Sequence, residues 1–128
     1  MTQEEKELFL KDLGARLQYK LHCRVFKLNG DIKENDDILY GVIGDNVVTL
    51  KSDKDECLMY YQIKPYLRSP ENLSDEEKDY WHKLQRGLKL GGNIDLMMDF
   101  YHSHHIDYRG LLPMSLALEV PEGMYKTK

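Results

Sequence analysis

Apolar residues recur at helical spacing at the start of the chain, at strand spacing through its middle, and at helical spacing again beyond residue 73. Phe9, Leu10, Leu13 and Leu17 form the first stripe, with Glu4, Glu5, Lys6, Lys11 and Asp12 on the polar side. Thr2 and Glu5 have capping-box spacing, in which a hydroxyl accepts from the backbone three residues on and the carboxylate reaches back. A helix is therefore expected to start there and to end between Gly14 and Gln18, where Gly14 weakens its last turn. From Tyr19 the period becomes two: Tyr19, Leu21, Cys23 and Val25 share one face, Lys20, His22 and Arg24 the other. Asn29-Gly30-Asp31 ends this strand, and residues 38–43 and 47–50 flank Gly44-Asp45-Asn46 as a hairpin. Residues 52–56 read as a polar turn, 57–63 as a fourth strand and 64–67 as its exit turn.

The strands over 38–43 and 57–63 are apolar on both sides and need cover on both faces. The expected fold is α+β: an N-terminal helix, a curled antiparallel meander of four to five strands, two C-terminal helices and an extended tail. An SH3-like, partly open barrel is one arrangement that does this. Residues 69–73 are linker-like but too short to divide domains, so one domain over 1–128 is expected. Ser74 and Glu77 repeat the capping box, Tyr80, Trp81, Leu84 and Leu88 give the next helix an apolar side, and Gly91-Gly92 ends it. Asn93 suits the N-cap of a third helix with the stripe Ile94, Met97, Met98 and Tyr101 and with Asp95 in its first turn. Beyond Pro113, residues 116–120 form an extended segment able to pair as an edge strand.

Composition narrows the function classes. A chain of 128 residues can bury a core without disulfides or a structural metal. No apolar run approaches the roughly 18 residues of a membrane span, and the acidic start is the reverse of a secretion signal. A cytoplasmic protein with no membrane partner is expected. The net charge of −4 disfavours nucleic acid, with only Lys20, Arg24, Lys27 and Lys33 giving a local positive excess. Cys23 and Cys57 lie in strand-like segments and read as buried free thiols.

Chemistry is densest from Phe100 to Leu112. Asp99, His102 and His105 recur every third residue on one helix face, a donor set that suits Zn²⁺ or another divalent ion. The row lacks the glutamate of an H-E-x-x-H helix and a second ligand pair. A structural alternative is that histidines gather where a helix ends, on carbonyls carrying partial negative charge. Asp107 would then cap a turn beginning at Tyr108, with Arg109 close enough to pair with it or with a helix end, and a buried Asp–Arg or Tyr–His network would fix the tail. Neither cysteine has the open, electropositive setting of a nucleophile, and no glycine-rich phosphate loop occurs. A non-enzymatic protein without a cofactor is expected. Tyr40, Tyr60, Tyr61, Tyr66 and Phe26 on or beside the sheet could line a peptide groove. The expected binding residues are Tyr60, Tyr66, His104, His105, Asp107, Tyr108 and Arg109, and the expected partner is a protein or peptide, a homodimer being one form of this.

Three segments carry a resemblance: residues 4–13, Lys64-Pro65-Tyr66-Leu67-Arg68, and His104-His105-Ile106-Asp107-Tyr108-Arg109-Gly110-Leu111 with residues 116–125. Together they resemble a family of small uncharacterised proteins of Bacteroides-type gut bacteria, often encoded in prophage or other mobile-element regions. Gly14 and Gln18 stand where that family suggests cysteine and proline. The resemblance implies a bacterial cytoplasmic setting and carries no activity with it.

Overall fold

The computed structural model describes residues 1–92 and 94–125. Helix α1 spans Gln3–Ala15 and opens with the expected capping box: Thr2 Oγ1 accepts from Glu5 N at 3.1 Å and Glu5 accepts from Thr2 N at 2.8 Å. Phe9 and Leu13 are fully buried, with Leu10 and Leu17 packed at the margin. A short 3₁₀ turn over Leu17–Tyr19 follows, so strand β1 begins only at His22 and spans His22–Val25. The alternation holds nonetheless, because Leu21, Cys23 and Val25 all point into the core.

Strands β2 (Asp37–Ile43) and β3 (Val47–Leu50) form the expected hairpin. The polar turn expected over 52–56 is confined to Lys51-Ser52: β4 spans Asp53–Met59, a 3₁₀ turn occupies Tyr60–Gln62, and β5 spans Ile63–Leu67, where an exit turn was expected. Pro65 is tolerated in β5 because its partner on one side is β1, through Cys23, while β6 (Leu118–Glu119) reaches the other side only at Tyr66 and Leu67.

The sheet therefore has six strands in the order β4-β3-β2-β1-β5-β6, antiparallel except for the parallel β5–β6 pair. It curls but stays open, with β4 and β6 at opposite ends of the order. Phe9 and Leu13 of α1, Leu111 and Ala117 fill its inner face together with Leu21, Cys23, Val25, Leu39, Val48, Leu50, Leu58, Ile63 and Leu67. At about 25 cal/mol per Å² of apolar surface, this layer is the main source of stability.

Helix α2 spans Asp75–Lys89 behind the second capping box, with Ser74 Oγ accepting from Glu77 N at 3.2 Å. Helix α3 spans Ile94–Ser103, and the Asn93 cap falls outside the described residues. The α3 stripe is rotated from the expected one: Met97 and Phe100 are buried, whereas Ile94 is exposed. Phe100 joins Leu73 and Ile106 in a second, smaller core against Trp81, Leu84 and Tyr101. Among the described residues, no helix is long and apolar enough to cross a membrane.

Candidate functional site

The residue pattern put Asp12 on the wet side of α1, but it is fully buried together with Arg16 one turn later. Arg16 Nε donates to Asp12 Oδ2 at 2.9 Å and Nη2 to Oδ1 at 3.2 Å, and Nη2 also reaches the Ile106 carbonyl at 2.6 Å. Arg109 Nε donates to the same Asp12 Oδ1 at 3.1 Å. One carboxylate thus serves two guanidinium groups, which is what makes its burial tolerable. Arg109, expected to pair with Asp107 or with a helix end, pairs with Asp12 instead, while Asp107 caps the following turn as expected, accepting from Leu111 N at 2.9 Å and Leu112 N at 2.8 Å.

Tyr108 extends the network. Its hydroxyl accepts from Arg109 Nη2 at 2.7 Å and shares a second hydrogen bond with His102 Nε2 at 2.7 Å. Burial, then the Arg16 charge, push the His102 pKa down, in agreement with a neutral ring. Burial raises the Tyr108 pKa, opposed by Arg109. The Tyr108 ring stacks on Tyr101 at 4.7 Å between centroids and 18° between planes, and the Arg109 and Arg16 guanidinium carbons lie 4.9 and 5.4 Å from its centroid. Asp12, His102 and Tyr108 line none of the described clefts, so the network fastens α1 to the α3 exit.

Arg68 makes a second fastening, with Nη1 and Nη2 2.8 and 2.6 Å from the two Glu77 oxygens and Nη1 also 3.3 Å from the His104 carbonyl. These bonds hold the Glu77 pKa down to about 2. His104 Nδ1 sits 3.0 Å from the Phe100 carbonyl, where a helix-end histidine was expected.

A third fastening had no signal in the residue pattern. Tyr125 turns back over the sheet, its ring stacked on His105 at 3.6 Å and edge-on to His22 at 5.1 Å. Its hydroxyl accepts from His22 N at 2.8 Å and donates to the Tyr66 carbonyl at 3.0 Å, bridging β1 and β5 beyond the Cys23–Pro65 pair. His105 Nδ1 is buried without a hydrogen-bond partner among the described residues, and burial followed by the Arg16 charge lowers the ring's pKa to about 3.

No family model, curated protein or solved structure matches this chain.

The three residues of the metal row do not converge. Asp99 is exposed, His102 is engaged by Tyr108, and His105 stacks on Tyr125; among the described residues no three His, Cys, Asp or Glu side chains are placed to share an ion. Both thiols were expected to be buried, and only Cys23 is, with its pKa raised by loss of water; Cys57 is exposed on the edge strand β4, next to the buried Leu58. Of the tyrosines, Tyr66 is buried, its hydroxyl accepting from Arg24 at 3.2 Å and donating to Asp36 at 3.0 Å. Tyr60 is half-buried against Tyr61, with Lys6 Nζ 5.0 Å from its ring centroid.

Clefts of about 420 and 370 Å³ open beside Arg68 with Glu119 and beside Asp107 with Pro113, and three more border the strands and the turn that carries Tyr61. Tyr40 and Tyr61 are each 53% exposed. Tyr61 walls a groove of about 340 Å³ with Met1, Phe9, Ile63, Met114 and Leu116. Tyr40 walls a cleft of about 260 Å³ with Leu17, Ile38, Lys20, Lys51 and Lys54. Across the ribbon, a cleft of about 480 Å³ has the core residues Val25, Leu50 and Leu58 as its floor and Glu34, Asp36, Asp53 and Glu56 on its rim. The basic run from Lys20 to Lys33 is split between these surfaces: Lys27 and Lys33 border the acidic cleft, and Arg24 is held by Tyr66. Lys51 and Lys54 had no place in the expected site, because their positions depend on how β3 and β4 pair.

Proposed function

We propose that this protein is a non-enzymatic binding module that captures a peptide or an extended segment of another protein on its tyrosine-bearing sheet. The observation that supports this reading is that Tyr40 and Tyr61 stay more than half exposed, each on the wall of a cleft. Tyrosine and methionine are favoured at the centres of protein interfaces, since they supply large contact area at modest entropic cost. The groove beside the His-His-Ile-Asp-Tyr-Arg stretch contributes less, because Ile106 and Asp107 are buried and spent on internal hydrogen bonds. The bacterial cytoplasmic, mobile-element setting implied by the resemblance belongs to the same proposal.

Selection of an unbiased displayed peptide library on the immobilised protein, followed by amide chemical-shift mapping of the enriched peptides, tests it. Enriched peptides should shift the amides of Tyr40 or Tyr61 and their cleft neighbours, and Tyr→Ala at the mapped residue should weaken binding by about tenfold or more. No enrichment, or peptides that map only to α2 and α3, would overturn the reading.

A further inference from the structure

Strand β2 carries one residue too many for its partner. Leu39 pairs with Leu50 and Gly41 with Thr49, so β2 advances two positions while β3 advances one, and Tyr40 is the extra residue. Such a bulge bends the strand and re-aims a side chain. Strand β4 is irregular beside it: its pairs with β3 jump from Val48–Leu58 to Leu50–Asp53, which brings Lys54 Nζ to 4.7 Å from the Tyr40 ring centroid. Lys51 is fixed by its backbone N, which donates to the Ile38 carbonyl at 2.8 Å, and Asp37 ties down the neighbouring Ser52 through its amide and hydroxyl. Lys20 enters from the end of the first 3₁₀ turn with φ at 54°, a conformation that non-glycine residues seldom adopt.

Three lysines from three segments thus surround one exposed tyrosine above apolar Leu17 and Ile38. None of the three is in an ion pair among the described residues. In a chain of net charge −4, this cleft is a local concentration of positive charge. We propose that the cleft docks a short acidic segment of a partner protein, its carboxylates facing Lys20, Lys51 and Lys54 and an apolar side chain lying on Tyr40, Leu17 and Ile38. This rests on the peptide-binding reading and names the face and the chemistry of the segment. A nucleic acid fits less well, since it presents a charge about every 1.7 Å along a duplex and needs a continuous basic track. Here the track stops, because Lys27 and Lys33 border the acidic cleft.

The test titrates a fluorescein-labelled peptide of alternating acidic residues around one Leu-Phe pair into the full chain. A peptide with lysine replacing every acid and a short oligothymidylate run alongside. The acidic peptide should bind, shift the amides of Ile38, Tyr40, Lys51 and Lys54, and lose about tenfold or more in affinity with Lys20→Glu or Lys54→Glu, whereas Lys83→Glu on α2 should leave affinity unchanged. Lys54→Gln, milder than reversal, should give a smaller loss in the same direction. The inference is overturned if the acidic peptide does not bind, if its shifts fall elsewhere, if Lys83→Glu weakens it equally, or if the oligothymidylate binds more tightly at the same amides. Should library peptides map to the Tyr61 groove while the acidic peptide fails, only this inference falls; should no peptide bind at all, the peptide-binding reading falls with it.

Discussion

Replacing Asp12 with alanine separates a surface account of α1 from a buried one. On a solvated helix face, Asp12 and Arg16 would be an ordinary pair four residues apart, and losing it would cost about 0.3–0.5 kcal/mol. In the structure both side chains are inaccessible, and the substitution strips Arg16 of two charge-assisted bonds and Arg109 of one. Arg16 would keep only backbone carbonyls, at Ile106 and more distantly at Tyr101. Leaving one member of a buried pair uncompensated costs about 3–5 kcal/mol, which at roughly 4 °C per kcal/mol for a domain of this size lowers Tm by about 12–20 °C. Arg109→Ala removes the outer partner alone and should cost about 1–2 kcal/mol. Asp12→Leu combined with Arg16→Met should recover much of the loss, since no charge remains buried. Urea and thermal unfolding followed by far-ultraviolet circular dichroism would measure all three. The Asp12→Ala deficit should also persist at high salt, because water and ions do not reach the pair. A cost for Asp12→Ala below about 1 kcal/mol would refute the buried network.

The other expectations concern the outer fastenings. Glu77, held down to about 2 by Arg68, contributes stability that is complete above its ordinary 4.5 and fades as pH falls from 4.5 toward 2, so Glu77→Gln should destabilise the protein at neutral pH and flatten its acid limb. His105 acts in the same direction from a higher pH: its native pKa of about 3 lies below the ordinary 6.5, so the unfolded chain takes up a proton first as pH drops below 6.5. Stability should decline by up to about 1.4 kcal/mol per pH unit toward pH 3, and His105→Phe, which can still stack on Tyr125, should reduce that slope. Tyr125→Phe keeps the stack but removes both hydroxyl bonds, and it should cost about 1–2 kcal/mol while raising hydrogen exchange at the His22 amide. A thiol reagent should modify Cys57 promptly in the native protein and Cys23 only on unfolding.

Local rules were legible along the chain wherever one stretch decided its own conformation. Both capping boxes, the hairpin over Gly44-Asp45-Asn46 and the alternation of Leu21, Cys23 and Val25 follow from hydrogen bonds and side-chain periods within a few residues. The sequence by itself therefore determined an α+β chain with a meander between helices. It did not determine where β4 gives way to β5, because a proline and a pair of adjacent tyrosines suit a turn as well as an edge-protected strand until the neighbours are known. Nor did it reveal Asp12, Arg16 and Tyr125 as fastenings, since a carboxylate on α1 reads as solvated until Arg109, 97 residues later, arrives beside it. The tertiary structure alone decided which histidines meet tyrosines instead of a metal, and which lysines gather around Tyr40. Burial and long-range pairing are properties of the assembled chain, and charge and hydrogen-bonding groups take their roles from them.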